Sequence, residues 1–334
     1  MNSNKGLTMA RKGRKDEFYT RYQDVCSELS LCAGWLGGAN VYCPCDDWRK
    51  SNFVKCLVDR FDEFGLRSLT ATCYSATATA VGKDSPLWEC DEGVGGRPSG
   101  TPHMLVVRHV EPGAGMEDVA KDPANTLRDL SGDGDFRSAE CVDIMKGCDV
   151  VVTNPPFSLF NEMIRLVRPL GKRFLLVGIQ AAIGNKSVFE ALRGGDVRVK
   201  SWPTGAGYFQ SVYDDNATSS SHKEGLIRVS GICWYSNIPY MRRDFMTFGR
   251  TYDPALYFKY DNADAIDIGK VADIPGDYDG IMGVPLTYMF RYVPEQFEIL
   301  GQRYGDDGKG LAVHGKAVFA RILIRKRKGK RNEG

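Results

Sequence analysis

The sequence predicts an α/β fold in which a doubly wound, mostly parallel sheet forms the main domain and a smaller module follows it. Between residues 41 and 235, short apolar runs alternate with stretches of helical periodicity, which is typical of such sheets. After Pro239 the pattern changes to short segments separated by Gly, Pro and Asp. With 334 residues, 43% of them hydrophobic, the chain is long enough for one large domain and a smaller partner.

Short apolar runs bounded by turn residues are predicted to be strands. They are residues 41–45, 69–74, 104–110, 149–153, 173–179 and 225–235. The run at 104–110 is expected at an edge of the sheet, and the run at 225–235 is expected to close it. Helices are predicted at 51–64 and 159–167, and a Gly/Pro-rich insertion occupies 76–102.

The tetrapeptide Asn154-Pro155-Pro156-Phe157, here called the Asn-Pro-Pro-Phe turn, directly follows the strand at 149–153. Proline has no backbone N–H, so two prolines end the hydrogen-bonded ladder and force a sharp turn. At such a turn the Asn154 side-chain carbonyl and the Pro155 backbone carbonyl can point into a pocket, beside the ring of Phe157. Two acceptors and one ring fit an exocyclic amine on a flat base. By itself, the motif is also compatible with a plain strand-ending turn.

The chemistry of such an amine explains the choice of residues. An adenine N6 or cytosine N4 amine is a poor nucleophile because its lone pair is delocalised into the ring. Two carbonyl acceptors favour a more tetrahedral nitrogen, and preorganised dipoles with near-attack positioning can supply about 5–10 kcal/mol. A duplex base must swing out to be reached, and an aromatic ring stabilises it by about 1–3 kcal/mol. The turn therefore predicts an amine methyltransferase that uses S-adenosylmethionine.

Cofactor contacts are expected in the loops after strands, because ligands of open α/β sheets bind outside the carboxyl ends of strands. Asp46 follows the first strand, where its carboxylate could bind the methionine amino group or cap the next helix. Asp135 could accept from the cofactor's adenine amine while Phe136 covers its ring; a simple Gly-Asp turn is the alternative. The segment 16–20 is aromatic and acidic, and alone it is uninformative.

Together these stretches resemble the EcoRI-type adenine-specific DNA methyltransferases, a family of class I enzymes that depend on S-adenosylmethionine. The resemblance extends from residue 16 to about residue 326 and is carried by residues 16–20, 41–47, 51–53, 132–138, 149–160, 260–262, 282–287 and 294–301. It implies a Rossmann-like sheet and methyl transfer to N6 of a flipped adenine at a specific site in double-stranded DNA. By the same resemblance, the catalytic residues are Asn154, Pro155 and Phe157, and the cofactor contacts are Tyr19, Thr20, Asp46, Asp135 and Phe136.

Two features depart from the wider superfamily. The usual Gly-rich loop after the first strand is replaced by Cys-Pro-Cys-Asp-Asp-Trp, so the methionine end of the cofactor must be held differently. No acidic residue follows the second strand, where Cys73 and Tyr74 stand, which leaves the cofactor ribose without an obvious partner. The order of the motifs predicts a basic arm at 1–15, a cofactor-binding catalytic domain at 16–238 and a target-recognition module at 239–334.

Charge is unevenly distributed along the chain. The first fifteen residues contribute +5 and residues 321–334 contribute +6 to a total of +2, which leaves −9 on residues 16–320. Basic ends on an acidic body could clamp a phosphate backbone, or could serve solubility only. In the predicted recognition module, the candidates for DNA contacts are Arg242, Arg243, Lys259, Tyr240, Tyr257 and Tyr260.

Composition indicates a cytoplasmic protein that binds no membrane, because no apolar run approaches 18 residues and the N-terminus has no apolar signal core. The ten cysteines are expected to be reduced thiols, and Cys43-Pro44-Cys45 has no second pair that would complete a zinc site, so no metal is expected. The enzyme is expected to act as a monomer, with a cognate restriction endonuclease as a genetic but not a physical partner.

Two other hypotheses remain open from the sequence. Asn-Pro-Pro-aromatic turns also serve methyltransferases that act on amines in RNA or on glutamine amides in proteins, with the same cofactor. A DNA-binding module that kept the fold without activity is the third possibility, and the intact Asn-Pro-Pro-Phe turn is an argument against it.

Overall fold

The computed structural model describes residues 18–74, 102–203, 205–211, 226–241, 243–302 and 310–327. The chain divides into two compact units. The first comprises Met1–Ile179 and Ser201–Tyr240, and the second comprises Gln180–Lys200 and Met241–Gly334.

The secondary structure alternates between strands and helices up to about residue 200 and consists mainly of strands afterwards. In chain order the strands are β1 (Phe18–Thr20), β2 (Asn40–Cys43), β3 (Ser68–Thr72), β4 (His103–Val107), β5 (Thr126–Asp129), β6 (Val150–Thr153), β7 (Arg173–Ile179), β8 (Arg198–Ser201), β9 (Ala206–Ser211), β10 (Leu226–Ser230), β11 (Ile232–Ser236), β12 (Lys259–Tyr260), β13 (Ala263–Asp267), β14 (Met282–Pro285), β15 (Phe297–Gln302), β16 (Ala312–Val313), β17 (Lys316–Ala317) and β18 (Arg321–Lys326). The α-helices are α1 (Tyr22–Cys32), α2 (Asn52–Asp59), α3 (Phe61–Phe64), α4 (Met116–Lys121), α5 (Ala139–Gly147), α6 (Phe160–Val167) and α7 (Lys186–Arg193).

Seven strands of the first unit form a large sheet in the order β5-β4-β3-β2-β6-β7-β11. The central strands β3, β2, β6 and β7 are parallel, and the flanking strands are antiparallel to their neighbours. The chain passes from β2 to β3 on one side, whereas β6 lies on the other side of β2, so the strand order reverses between β2 and β6. In open α/β sheets, ligands bind at the carboxyl ends of strands at such a reversal. The predicted mixed α/β, Rossmann-like sheet is confirmed.

The apolar runs of the sequence account for the buried centre of this sheet. All four residues of β6 are buried, as are six of the seven residues of β7. Near-continuous apolar strands of this kind are typical of parallel sheets that are covered on both faces. Helix α2 begins after Ser51, whose hydroxyl accepts hydrogen bonds from the backbone N–H groups of Phe53 and Val54. This cap fixes the chain direction just after the loop that follows β2.

The structure differs from the predicted strands at two places. Strand β4 is not at the edge of the sheet, because the polar segment Thr126–Asp129 pairs with it as β5. The single strand predicted at 225–235 is two strands, with Gly231 between them at a φ of 72°. Strand β10 belongs to a three-stranded sheet, β1-β9-β10, and β11 pairs with β7. The insertion predicted at 76–102 lies outside the described residues up to residue 101.

The second unit is built around a five-stranded sheet in the order β12-β13-β14-β18-β15, with a small ribbon of β16 and β17. Three candidate DNA contacts are engaged inside this unit. Arg243 is half-buried, and its guanidinium donates to the backbone carbonyls of Tyr292 and Val199. Tyr260 is buried and donates to Asp267 at 2.6 Å. A third candidate, Tyr257, is buried and donates to the Asp273 carbonyl at 2.9 Å. The Lys259 side chain is 64% exposed and pairs with Asp264 at 3.1 Å.

Two further expectations concern the environment of the protein. Within the ranges that the structure covers, each helix is too short or too polar to span a bilayer. Cys26 and Cys56, on α1 and α2, are joined as a disulfide with a Cα–Cα distance of 5.9 Å, so the expectation of reduced thiols is wrong for this pair. The sequence does not reveal this pairing because only the packing of two helices brings the cysteines together.

Candidate active site

The Asn-Pro-Pro-Phe turn lies at the carboxyl end of β6, where the strand order of the sheet reverses. The ladder ends at Thr153, and a short 3-10 helix, Phe157–Leu159, leads into α6. Asn154 and Pro156 are half-buried, whereas Pro155 and Phe157 are buried. The turn therefore lies at the edge of the sheet where ligands of open α/β sheets bind, which is the position that the sequence predicted.

Thr20 is brought next to this turn from a distant part of the chain. The Asn154 side-chain amide donates to the Thr20 hydroxyl at 3.4 Å, and the Asn52 amide donates to the Thr20 carbonyl at 2.8 Å. Thr20 is itself only 2% exposed. The end of β1 thus lies against the end of β6 and the start of α2. Tyr19 precedes Thr20 in β1, and its side chain lies outside the described part of the structure.

Asp46 connects the loop after β2 with the end of β6. Its two carboxylate oxygens accept hydrogen bonds from the hydroxyls of Ser51 and Thr153, each at 2.6 Å. Burial raises the pKa of Asp46 to about 6, and the two hydrogen bonds only partly offset this effect. In the part of the chain that the structure covers, Asp46 forms no ion pair. A buried carboxylate without a countercharge is costly, and a carboxyl group whose pKa burial shifts in this way is a candidate for a functional site.

Asp46 does not cap helix α2, which was the alternative role for this residue. The N-cap of α2 is Ser51, which accepts from two backbone N–H groups of the first turn. Asp46 accepts a hydrogen bond from the same Ser51 hydroxyl, so Asp46 orients the capping residue but does not itself cap the helix. Its second oxygen reaches across to Thr153, one residue before Asn154. Asp46 therefore holds together the two strand ends that flank the reversal.

The loop that contains Asp135 and Phe136 is fixed by its own ion pairs. Burial raises the pKa of Asp135, but the hydrogen bonds from Arg137 outweigh it and hold the pKa below its usual value. Arg137 also pairs with Glu162 on α6 and lies over the Phe136 ring, 5.7 Å from its centroid. Phe136 is 3% exposed, so its ring is packed inside the first unit in this conformation.

Gly134 places this loop against the end of β3. Its φ is 78°, and a Cβ atom built there would lie 2.0 Å from the backbone oxygen of Cys73. Strand β3 is two strands away from β6 in the sheet, a separation of about 10 Å. The Asp135 loop and the Asn-Pro-Pro-Phe turn thus occupy the same edge of the sheet at separate positions.

We expect Gly134→Ala to destabilise the first unit by about 2–4 kcal/mol, because a left-handed backbone and a steric overlap both oppose the methyl group. Chemical denaturation would measure the loss. The matched control is Gly132→Ala in the same loop, where no atom lies within 4 Å of the added Cβ and φ is not in the left-handed region. If both variants unfold at the same denaturant concentration, the close approach of this loop to Cys73 is not present in solution.

Sequence reasoning missed a set of polar side chains at the same edge. Asp47 follows β2, Cys73 follows β3 and His103 begins β4. Burial is the largest single influence on His103 and lowers its pKa, but hydrogen bonds and charge interactions with Asp47 and Cys73 together outweigh it and raise the pKa to about 10. Hydrogen bonds from His103 and Arg49 outweigh burial in the same way and hold the pKa of Asp47 well below its usual value. No local motif connects these residues, because they are far apart in the chain.

The Asn-Pro-Pro-Phe turn and the buried Asp46 carboxylate, which forms no ion pair with the described residues, thus lie at neighbouring strand ends. A mixed α/β sheet with this turn at the reversal of its strand order fits the methyltransferase class. The family model described as "Adenine-specific methyltransferase EcoRI" matches residues 6–332. The chain therefore belongs to this family, as its motifs predicted.

Curated relatives agree with the family match along nearly the whole chain. The type II methyltransferase M.EcoRI of Escherichia coli is 34% identical over 337 residues, which cover 98% of this chain and 98% of the relative. M.MpnI of Mycoplasma pneumoniae is 30% identical, with 87% of this chain and 83% of the relative covered. M.MgeORF184P of Mycoplasma genitalium is 26% identical, with 95% and 97% covered. All three are named type II methyltransferases, and their names do not favour an RNA or protein substrate. No solved structure matches the chain.

Proposed function

We propose that this protein is a site-specific DNA adenine methyltransferase that transfers a methyl group from S-adenosylmethionine to N6 of an adenine flipped out of double-stranded DNA. The observation that carries the proposal is the position of the Asn-Pro-Pro-Phe turn at the reversal between β2 and β6, in a chain of the EcoRI methyltransferase family. Modification within a restriction-modification system is consistent with relatives named type II methyltransferases.

The chain contributes acceptors, positioning and an apolar surface to the reaction. The Asn154 side-chain carbonyl and the Pro155 backbone carbonyl accept the two N6 hydrogens, so the nitrogen lone pair turns away from the adenine ring. S-adenosylmethionine supplies an electrophilic methyl group on a sulfonium, which becomes a thioether when the methyl group leaves. The nitrogen–carbon bond forms as the sulfur–carbon bond breaks, and the extra N6 proton passes to solvent. No residue of the chain forms a covalent bond with the base.

Asp46 is the residue that fits the amino group of the methionine moiety. Its carboxylate is 3% exposed and forms hydrogen bonds only with neutral hydroxyls among the described residues. An ammonium group placed beside it supplies the missing countercharge and lowers the cost of burial. Thr20, which contacts both Asn154 and Asn52, would help to form the wall between the cofactor and the substrate amine.

We assign the other predicted cofactor contacts to the adenine end of S-adenosylmethionine. Asp135 and Phe136 belong to the loop that packs on the end of β3, about two strand spacings from the Asn-Pro-Pro-Phe turn. Asp135 and Phe136 would hold the adenine of a cofactor whose amino acid end is held at Asp46. Because Asp135 is paired with Arg137, and Phe136 is buried, these two residues require a local rearrangement to contact the adenine. Tyr19 is assigned to the cofactor by family resemblance alone.

Phe157 is buried in this conformation, with 3% of its surface exposed. Stacking on a flipped adenine therefore requires that binding of DNA uncover the ring. We assign the reading of the DNA sequence to residues 239–334, and backbone contacts to the basic residues at 1–15 and at the C-terminal end. The protein would act as a monomer in the cytoplasm, genetically linked to a restriction endonuclease.

Tritiated methyl transfer to duplex DNA, followed by nucleoside analysis, tests the proposed function. The expected product is labelled N6-methyladenine, formed only when both duplex DNA and the purified chain are present. RNA and protein substrates serve as controls in parallel reactions. Label that enters RNA or protein but not DNA would contradict the proposal, and label in cytosine would contradict the assigned base.

A further inference from the structure

Three potential metal ligands converge at the carboxyl edge of the sheet, outside the residues assigned to catalysis. They come from separate elements: Asp47 follows β2, Cys73 follows β3 and His103 begins β4. One ligand atom from each residue lies within 4.8 Å of the others. The Cys73 Sγ atom is 3.2 Å from His103 Nδ1 and 3.5 Å from Nε2, and Nε2 is 3.7 Å from the Asp47 Oδ1 atom.

The separations of His103 Nε2 from the sulfur and from the carboxylate oxygen are close to those of ligands around a tetrahedral ion. Zinc–sulfur bonds of about 2.3 Å and zinc–nitrogen or zinc–oxygen bonds of about 2.0–2.2 Å place neighbouring ligand atoms roughly 3.4–3.6 Å apart. Sulfur, imidazole nitrogen and carboxylate oxygen are all donors that zinc accepts, whereas calcium and magnesium prefer oxygen alone. Three protein ligands leave a fourth position for water or another group.

Neighbouring side chains orient the three candidate ligands, as hydrogen-bonding and packing groups do around metal sites. The Arg49 guanidinium donates to both Asp47 oxygens, at 3.0 and 2.8 Å, and the Arg49 backbone N–H donates to Oδ1 at 3.0 Å. Hydrogen bonds of this kind orient ligating carboxylates. The Trp48 ring packs edge-on against His103, with 6.3 Å between the ring centroids. Cys73 and His103 are buried, so the surroundings shield the site from water.

We propose that Asp47, Cys73 and His103 bind a divalent transition metal of the zinc class. The ion would fasten the loop after β2 to the ends of β3 and β4. That loop also carries Asp46, so the metal would stiffen the region proposed for the methionine end of the cofactor without taking part in methyl transfer. The site does not depend on the proposed function, and its test does not use activity.

Cobalt titration of the purified full-length chain tests this site, because cobalt(II) bound to a thiolate shows a sulfur-to-metal charge-transfer band in the near ultraviolet. We expect one equivalent of cobalt to produce this band together with the visible bands of a tetrahedral ion, and zinc to displace both. Cys73→Ser should abolish the charge-transfer band. His103→Gln should weaken cobalt binding by a hundred-fold or more.

Cys148→Ser is the matched control. Its thiol donates to the backbone carbonyl of Met145 at 3.1 Å, a bond that serine can keep, and it precedes β6 at the opposite end of that strand from the Asn-Pro-Pro-Phe turn. This variant should retain the full cobalt spectrum. Arg49→Ala should keep the charge-transfer band but weaken binding by about 10–100-fold, as expected for loss of a group that orients a ligand.

The unmodified chain alone can overturn the proposal, so the outcome does not depend on whether a variant folds. If the purified chain shows no thiolate-to-cobalt band at stoichiometric metal, the three residues form a hydrogen-bonded ion pair with a neighbouring thiol and no metal site. A band that survives in a folded Cys73→Ser protein would also overturn it, because the thiolate would then come from another cysteine. Circular dichroism establishes that each variant is folded.

Discussion

Asn154→Ala is expected to reduce methyl transfer by about a thousand-fold or more while S-adenosylmethionine still binds. The substitution removes one of the two carbonyl acceptors that would hold the N6 hydrogens, and single preorganised groups of this kind contribute roughly a hundred- to a thousand-fold to a rate. Loss of near-attack positioning adds to this effect. The contact between Asn154 and Thr20 is long, at 3.4 Å, so its loss should change the stability of the fold little.

Single-turnover transfer of tritiated methyl groups measures the rate for this variant, and isothermal titration with S-adenosylhomocysteine measures the cofactor site. Asn161→Ala, on helix α6 only seven positions further along, is the matched control and should keep its rate within a few-fold. If Asn154→Ala turns over normally, the Asn-Pro-Pro-Phe turn is only a strand ending. If cofactor binding is lost together with activity, the role of Asn154 is structural.

Two substitutions of Asp46 are expected to have different effects, and the contrast tests its proposed role. Asp46→Ala leaves the hydroxyls of Ser51 and Thr153 without their acceptor in a buried place, which should destabilise the first unit by about 1–3 kcal/mol. Asp46→Asn keeps the shape and one carbonyl acceptor, so the fold should be close to normal in stability. It removes the negative charge, however, and cofactor affinity should fall at least ten-fold.

Chemical denaturation and cofactor titration of both variants give the two readouts separately. Asp149→Asn is a suitable control, because the Asp149 carboxylate accepts from the Asn40 backbone and side chain and Asp149 directly precedes β6, away from the Asn-Pro-Pro-Phe turn. It should leave cofactor affinity unchanged. A normal affinity in Asp46→Asn would mean that the carboxylate serves only to join the ends of β2 and β6, and that another group binds the methionine amino group.

Local patterns in the sequence were sufficient to locate most of the central sheet. Strand β7 lies where the apolar run at 173–179 predicts it, and β6 ends where two prolines remove the backbone donors. The edge of the sheet was harder to predict. Strand β5 has the polar sequence Thr-Leu-Arg-Asp and forms because β4 offers it a pairing partner, which is a tertiary effect.

The residues of the candidate site divide in the same way into those that the sequence predicted and those that only the fold reveals. Asn154 and Asp46 were predicted from their positions after apolar strands, because ligand sites of α/β sheets follow from strand order. The hydroxyl partners of Asp46 were not predicted, since Thr153 and Ser51 carry no signal until the two strand ends are adjacent. The burial of Phe136 and Phe157 was not predicted either, because apolar rings at a turn look the same in a sequence whether they face a ligand or the core.

The sequence alone determined the family and the central strands of the sheet, and it predicted a chemistry for the Asn-Pro-Pro-Phe turn, because each is carried by short local patterns. Only the tertiary structure decided which distant side chains meet: Thr20 beside Asn154, and His103 between Asp47 and Cys73. The physical reason is that charge, burial and hydrogen bonding act over a few ångströms in space. Residues separated by dozens of positions acquire these interactions only when strand order brings their ends to one edge of a sheet.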